Sequence, residues 1–267
     1  MTEMRNKILH LIMAGILLVS MYLVAAKGAV YINEEESRND DISNEVFMEW
    51  AEGEADALIQ NKEREKKNGE SLQKGKVCVV IDAGHGGADP GKVGVNNALE
   101  KDINLEIAKK LKLFLEADDI EVVMTREDEN GLYDENASNK KVQDMKNRLR
   151  IIEGADPVLV ISIHQNSYHE EYVKGAQVFY YTTGEKSKQL AQIMQEQLRC
   201  LDESNTREAK GNDSYYLLKK TAKPIVIVEC GFLSNRAEAE KLITPLYQEK
   251  LAFQIHMGIM KYINTLH

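Results

Sequence analysis

Residues 77–87 have the sequence VCVVIDAGHGG, which changes abruptly from an apolar run to a glycine-rich turn. The apolar run is rich in β-branched residues, so it predicts a strand that is buried on both faces, as in a parallel sheet. The glycines that follow allow a sharp turn without a Cβ clash. Open α/β sheets carry their functional sites beyond the carboxyl ends of the strands. His85 follows such an end, and we therefore expect a functional site around it.

Strand-like and helix-like segments alternate downstream of this stretch. Further strands are predicted at 120–125, 158–163, 176–181 and 225–229, and helices at 100–117, 144–152, 184–201, 235–243 and 245–266. In the first of these helices, apolar residues recur every four positions from Ile103 to Leu115 and give one buried stripe. The alternation predicts a single α/β domain with a mostly parallel sheet of about six strands and helices on both faces.

The first 30 residues carry a different pattern. Arg5 and Lys7 precede an apolar run at 8–26, which as a helix is about 28 Å long, close to the thickness of a bilayer. We predict a transmembrane signal anchor at 1–30, with the remainder exported and held at the outer face of the cytoplasmic membrane. Cleavage after Ala26 by a signal peptidase is the alternative and would give a secreted protein.

The strongly charged segment at 31–75 predicts a solvated stalk that leads to a catalytic domain at 76–267. A helix that docks on the domain or on another protein is the alternative for this segment. The whole chain has 43 acidic and 34 basic residues and a net charge of −9. Such an acidic balance argues against a nucleic-acid partner, because nucleic-acid-binding proteins usually present a basic surface.

Side chains that can bind a metal or move a proton accompany three of the predicted strands. His85 follows the first strand, His164 follows the third and Glu229 ends the fifth. Because the carboxyl ends of parallel strands meet at one edge of a sheet, we expect these side chains to converge. Glu100 is the first residue of the helix after the glycine-rich loop. Because that loop starts at His85, we expect Glu100 to lie at the same edge of the sheet as the other three residues.

Two histidines, a carboxylate and an open position are typical of a catalytic zinc site. A second carboxylate can act as general base on a water whose pKa the zinc lowers towards about 7, and such a set can hydrolyse an amide. Taken singly, a histidine at a strand end is more often a hydrogen-bonded structural residue, and a glutamate there can pair with an arginine. The sequence has no HExxH motif, P-loop or Gly-x-Ser-x-Gly elbow, which disfavours a phosphate cradle and a serine hydrolase.

Four motifs occur in order along the chain: IDAGHGG at 81–87, EKDINL at 100–105, ISIHQN at 161–166 and VECGFLSN at 228–235. Together they resemble the zinc-dependent N-acetylmuramoyl-L-alanine amidases of bacterial cell walls. The resemblance implies one Zn²⁺ per chain, with His85, Glu100 and His164 as its ligands and Glu229 as the catalytic carboxylate. It implies as substrate the peptidoglycan amide that joins the lactyl group of muramic acid to the L-alanine of the stem peptide.

The resemblance also brings further residues into consideration. Asn166, Arg126 and Arg148 are candidate substrate-binding residues, although structural ion pairing is the favoured interpretation of the two arginines. Ala83 departs from the family, in which proline usually precedes the Gly-His pair. Because the loss of proline acts mainly on the unfolded chain, we expect the metal ligands to be unaffected.

Within the family, the single anchor and the run YLLKK at 216–220 resemble the spore-cortex, germination-specific amidases of spore-forming bacteria. Those enzymes remove stem peptides so that muramic-δ-lactam can form, which implies the forespore intermembrane space as one location. A vegetative cell-wall amidase, a zinc exopeptidase acting on free peptides and a catalytically silent wall-binding module are the alternatives. The implied partners are peptidoglycan, the membrane through the N-terminal helix, and an activating protein.

Overall fold

Strands and helices alternate along residues 77–266, the part of the chain that this computed structural model describes. The strands are β1 (Cys78–Ala83), β2 (Glu121–Met124), β3 (Leu159–Asn166), β4 (Gln177–Tyr181), β5 (Lys210–Asn212) and β6 (Ile225–Phe232). The helices are α1 (Glu100–Ala117), α2 (Lys140–Ala155), α3 (Glu185–Arg199), α4 (Tyr216–Lys220), α5 (Arg236–Leu242) and α6 (Pro245–Asn264). The anchor predicted at 1–30 and the stalk predicted at 31–75 lie outside the described residues and stay predictions. None of the helices between residues 77 and 266 combines the length and apolarity needed to span a bilayer.

The six strands form one sheet in the order β2-β1-β3-β6-β4-β5. β2, β1, β3 and β6 run parallel, whereas β4 is antiparallel to β6 and β5 is parallel to β4. The predicted mostly parallel sheet of about six strands is confirmed. The carboxyl ends of β1, β3 and β6, three adjacent parallel strands, therefore lie together at one edge.

Helices cover both faces of the sheet, as predicted. One face carries the larger apolar cluster, in which the strands pack against α1, α3, α5 and α6 through buried residues such as Ile107 and Ile255. The other face carries a smaller cluster built from α2 and α4, with Ile152 and Leu217 over the sheet. Polar side chains, among them Ser162, His164 and Glu229, occupy the same face nearer the carboxyl ends of the strands.

Two strands extend further than the sequence predicts. β3 runs to Asn166 and β6 runs to Phe232, so His164 and Glu229 lie inside strands rather than at their ends. The ladder between these strands resumes after an irregularity between His164 and Asn166. Main-chain pairing between β3 and β6 both before and after His164 and Glu229 therefore fixes the direction of these two side chains.

Two short elements were not predicted, and one helix begins earlier than predicted. β5 and α4 have three and five residues, too few for an apolar periodicity to be visible. α2 begins at Lys140 because the side chain of Asn139 accepts a hydrogen bond from the Val142 N–H at 3.1 Å and caps the helix. The first turn of α2 is polar, so the apolar pattern that predicted a helix from residue 144 starts later than the helix itself.

Candidate metal centre and cleft

His164 and Glu229 are brought together by the register of β3 against β6. The two residues are direct partners in the parallel ladder. Partners in adjacent strands project to the same face of a sheet, because side chains alternate with a period of two. The pairing therefore places an imidazole beside a carboxylate on the face that α2 and α4 cover.

His85 reaches the same place through an unusual turn. Its φ is 62°, in the left-handed region that non-glycine residues seldom adopt. Arg148 holds this turn, since its Nη2 donates to the His85 carbonyl at 2.5 Å and its Nη1 to the Ala83 carbonyl at 2.7 Å. A Cβ at Gly84 would overlap the ring of His164, so only glycine allows the turn to pack directly against that imidazole. The His85 and His164 rings meet edge to face, with centroids 5.0 Å apart and planes at 80°.

Glu100 lies between the two imidazoles and is only 2% exposed. Its Oε1 is 3.2 Å from His85 Nε2 and 3.0 Å from His164 Nδ1. Backbone N–H groups of Lys92 and Gln165 donate to the carboxylate at 2.7 and 3.1 Å. Burial disfavours the charged form, but the hydrogen bonds from the histidines outweigh it and hold the pKa of Glu100 well below its usual range. The carboxylate is therefore ionised near neutral pH, as metal binding requires.

The predicted convergence of His85, Glu100 and His164 is confirmed. One ligand atom from each residue lies within 4.8 Å of the other two. Two imidazole nitrogens and one carboxylate oxygen are the protein ligands of many catalytic zinc sites, which keep a further position open for water or substrate. The spacing and the chemistry of these three donors fit a divalent cation such as Zn²⁺.

Asp89 contacts the outer nitrogen of His85. Its Oδ2 lies 3.1 Å from His85 Nδ1, and its Oδ1 accepts from the Gly91 N–H at 3.0 Å. A carboxylate on the far side of a ligating imidazole fixes the tautomer and orientation of the ring. Asp89 was not predicted as a site residue, although its position four residues after His85 in the same loop was a signal for this contact.

Glu229 stands beside these three residues and is 7% exposed. Its Oε2 has no hydrogen-bond partner among residues 77–266. Burial raises the pKa of Glu229 to about 7, and the neighbouring His164 and a hydrogen bond from Tyr215 offset only part of this rise. A buried carboxyl group with a pKa near neutrality and one unpartnered oxygen is suited to accept and donate a proton.

Tyr215, which was also not predicted as a site residue, supports Glu229 from the segment before α4. Burial and the Glu229 charge raise the pKa of Tyr215 to about 12, so its hydroxyl stays protonated and can donate to the carboxylate. The ring packs edge to face on Phe179, with centroids 5.7 Å apart. The Tyr215 N–H donates to Asn212 Oδ1 at 3.0 Å. Both contacts fix the position of the phenol.

A cleft of about 840 Å³ is lined by the four predicted site residues, which are His85, Glu100, His164 and Glu229. Its size accommodates a small molecule or a short peptide. Other lining residues include Asn166 at the end of β3, three lysines from the loop after β1 and from α2, and aromatic residues before and within α4. They are Lys92, Lys140 and Lys141, and Tyr215 and Tyr216. Asn166 is partly buried and its Oδ1 accepts from the Ser167 N–H at 2.8 Å. Its position keeps it a candidate for substrate contact.

Arg148 and Arg126 make their polar contacts within the protein, and Arg148 also borders the cleft. Arg148 is 1% exposed and pairs with Asp82 at 2.7 Å and Asp144 at 2.6 Å, in agreement with the favoured interpretation as a structural ion pair. Arg126 is 4% exposed and donates to four main-chain carbonyls, those of Ala83, Gly84, Lys101 and Asp128. Both guanidinium groups are directed at the Gly-His turn, and a role of either arginine in substrate binding stays a prediction.

A mostly parallel sheet with two imidazoles and two carboxylates at one edge is typical of hydrolases that use a metal ion. Residues 79–261 match the model of the N-acetylmuramoyl-L-alanine amidase family Amidase_3, and the chain belongs to this family. It is 39% identical over 191 residues to the germination-specific N-acetylmuramoyl-L-alanine amidase of Bacillus subtilis strain 168, covering 70% of this chain and 80% of that protein.

Solved structures agree with this assignment. The CwlD amidase from Clostridioides difficile, in complex with the GerS lipoprotein, is 40% identical with a TM-score of 0.69, covering 71% of this chain and 100% of that chain. The catalytic domain of the amidase CwlV from Bacillus (Paenibacillus) polymyxa is 30% identical with a TM-score of 0.63. The match covers 70% of this chain and 98% of that chain. The resemblance stated from the four motifs is therefore confirmed, and the protein is an amidase of peptidoglycan.

Proposed function

We propose that this amidase is zinc-dependent and cleaves the bond between the lactyl group of N-acetylmuramic acid and the L-alanine of the stem peptide. The observation that carries the proposal is the spacing of His85, Glu100 and His164, whose ligand atoms lie within 4.8 Å of one another beside Glu229. Membership of the amidase family supports the choice of bond. The donor set supports the choice of metal.

Each side chain of the site has a distinct task in this reaction. Bound zinc would polarise the scissile carbonyl and lower the pKa of a water molecule. Glu229 takes a proton from the attacking water and passes it to the nitrogen of L-alanine as the amide bond breaks. The products are a muramic carboxylate and a peptide with a free amino terminus. Tyr215 orients Glu229 through its hydrogen bond, and Asp89 orients His85.

We further propose that the enzyme acts in the spore cortex, where removal of the stem peptide precedes formation of muramic-δ-lactam. The 39% identity to a germination-specific amidase supports this role. Export, membrane anchoring through residues 1–30 and an activating partner belong to the same proposal. The partner is supported by the related CwlD amidase, which was solved in complex with a lipoprotein.

Mass spectrometry of peptidoglycan digests tests the reaction. Purified full-length protein is incubated with peptidoglycan, with zinc or with a chelator, and Glu229→Gln serves as the catalytic control. We expect zinc-dependent release of peptides that begin with L-alanine and glycan strands that carry bare muramic acid. Intact muramoyl-alanine bonds after digestion with zinc-loaded enzyme, both alone and with an extract of sporulating cells that supplies the partner, would contradict the proposal. Removal of terminal residues from free peptides would indicate an exopeptidase instead.

A further inference from the structure

Lys92 is attached directly to one of the candidate metal ligands through its backbone. Its N–H donates to Glu100 Oε2 at 2.7 Å, and its carbonyl accepts from the Glu100 N–H at 2.9 Å. Gly91, which precedes it, has a φ of 68°, and a Cβ there would collide with Glu100 and His85. The chain at 91–92 therefore runs against the metal ligands, and the Lys92 side chain starts beside them.

The ammonium group of Lys92 is free to bind an acid. The side chain is exposed and lines the cleft, and no ion pair joins it to a carboxylate of residues 77–266. The other two cleft lysines are engaged, since Lys140 pairs with Glu135 at 2.5 Å and Lys141 lies 3.7 Å from Asp89. Lys92 thus presents an uncompensated positive charge in a chain whose net charge is −9.

We propose that Lys92 binds the free carboxylate of the stem residue that follows L-alanine, and so selects stems with D-glutamate over stems with D-isoglutamine. This inference rests on the proposed function. When the scissile carbonyl lies at the metal centre, the next acidic group of the stem peptide is one residue away on the leaving side. Glutamate presents a carboxylate there, whereas isoglutamine presents a neutral amide. Hydrogen bonds to an ionised acceptor are about twice as strong as those between neutral groups.

Charge complementarity gives the contact a clear role. An acidic protein repels an acidic stem peptide, and a cation in the cleft both offsets this repulsion and fixes the register of the peptide. Because the contact is made equally in the bound substrate and in the transition state, it acts on KM rather than on kcat.

Kinetics on two muropeptides that differ only at the second stem residue test the proposal. We expect the full-length, zinc-loaded enzyme to favour the glutamate form over the isoglutamine form by about tenfold in kcat/KM, with the difference in KM. Lys92→Gln should abolish the preference by raising KM for the glutamate form, and Lys92→Arg should restore it. Glutamine at position 92 keeps the backbone N–H that donates to Glu100, so the zinc content of the variant should equal that of the wild type.

Lys186→Gln is the matched control. Lys186 is exposed in the first turn of α3, which follows the antiparallel strand β4 and therefore begins at the opposite edge of the sheet. The Lys186→Gln substitution removes the same charge as Lys92→Gln and should leave kcat/KM unchanged for both the glutamate and the isoglutamine muropeptide. Equal cleavage of the two substrates by the wild type, a preference retained in Lys92→Gln, or loss of zinc in that variant would overturn the inference. Failure of the proposed function looks different, because the wild type would then cleave neither muropeptide.

Discussion

Asp89 Oδ2 lies 3.1 Å from His85 Nδ1, on the side of the ring that faces away from Glu100. The loop that carries both residues is closed by backbone hydrogen bonds between Gly86 and Asp89, each 3.1 Å long. The carboxylate is placed to accept from Nδ1–H, and Nε2 is the nitrogen that faces Glu100 and could bind a metal. This contact favours the tautomer of His85 that a metal ligand needs.

Asp89→Asn is expected to weaken zinc binding by about 10-fold to 100-fold, because the amide no longer fixes the ring with a charge. The measurement is competition for zinc against a chromogenic chelator. Glu240→Gln removes an exposed carboxylate that does not line the cleft and serves as the control. Unchanged zinc affinity in Asp89→Asn would show that the turn alone orients His85.

Glu229→Gln should retain zinc and lose hydrolysis. The glutamine cannot take a proton from water, and loss of a general base typically lowers the rate by about 10²-fold to 10⁴-fold. Zinc content and peptide release are measured on the same preparation. His85→Ala is the comparison variant and should lose both properties, because a site with three protein ligands cannot spare an imidazole. Near-normal turnover in Glu229→Gln would show that Glu229 is not the general base.

Tyr215→Phe should move the acidic limb of the pH–rate profile to higher pH. The Tyr215 hydrogen bond lowers the pKa of Glu229, so its removal lets burial raise that pKa further. The base then becomes ionised only at higher pH, and kcat/KM falls most below neutrality. A uniform loss of rate at every pH, with no shift of the limb, would indicate that Tyr215 only fills space.

The sheet and the core of the site could be predicted because both follow from short-range patterns. Apolar β-branched runs define β1, β3 and β6, and parallel strands bring their carboxyl ends to one edge, so His164 and Glu229 were expected at the same edge. Their direct pairing depends on the strand order, which the sequence does not specify. Glu100 followed from the loop that starts at His85. The extension of these strands was not visible, because β3 continues past His164 with the polar residues Gln165 and Asn166, and Gly231 interrupts the β-branched run of β6 after Glu229.

The supporting residues could not be predicted because they depend on loop conformation. The contacts of Asp89 and Lys92 depend on positive φ values at His85 and Gly91, which the sequence does not specify. Tyr215 lies in a segment too short to show a period, and it meets Glu229 only through the folding of α4 onto the sheet. Charge alone suggested an acidic partner for Arg126, whereas the guanidinium group binds carbonyls of the turn.

Asp82→Asn tests the buried ion pair that supports the turn. Asp82 accepts from Arg148 Nη1 at 2.7 Å, from Ser162 Oγ at 2.6 Å and from Thr125 Oγ1 at 2.8 Å. Burial opposes its charge, but attraction to Arg148 and the Ser162 hydrogen bond outweigh burial and lower the pKa of Asp82 to about 2. At neutral pH we expect the substitution to reduce the free energy of unfolding by about 3 to 5 kcal/mol, because it leaves Arg148 buried with one partner fewer.

The same substitution should change the acid dependence of stability. The folded pKa of Asp82 lies below its unfolded value of about 3.9, so its contribution is fully present above that pH and is lost as pH falls towards about 2. The difference in urea unfolding free energy between the wild type and Asp82→Asn should therefore shrink between about pH 4 and pH 2. Asp213→Asn, at an exposed position, should change stability by less than about 0.5 kcal/mol. A difference that stays constant down to pH 2 would show that Asp82 acts through packing, because a charge that supports the turn must titrate in this range.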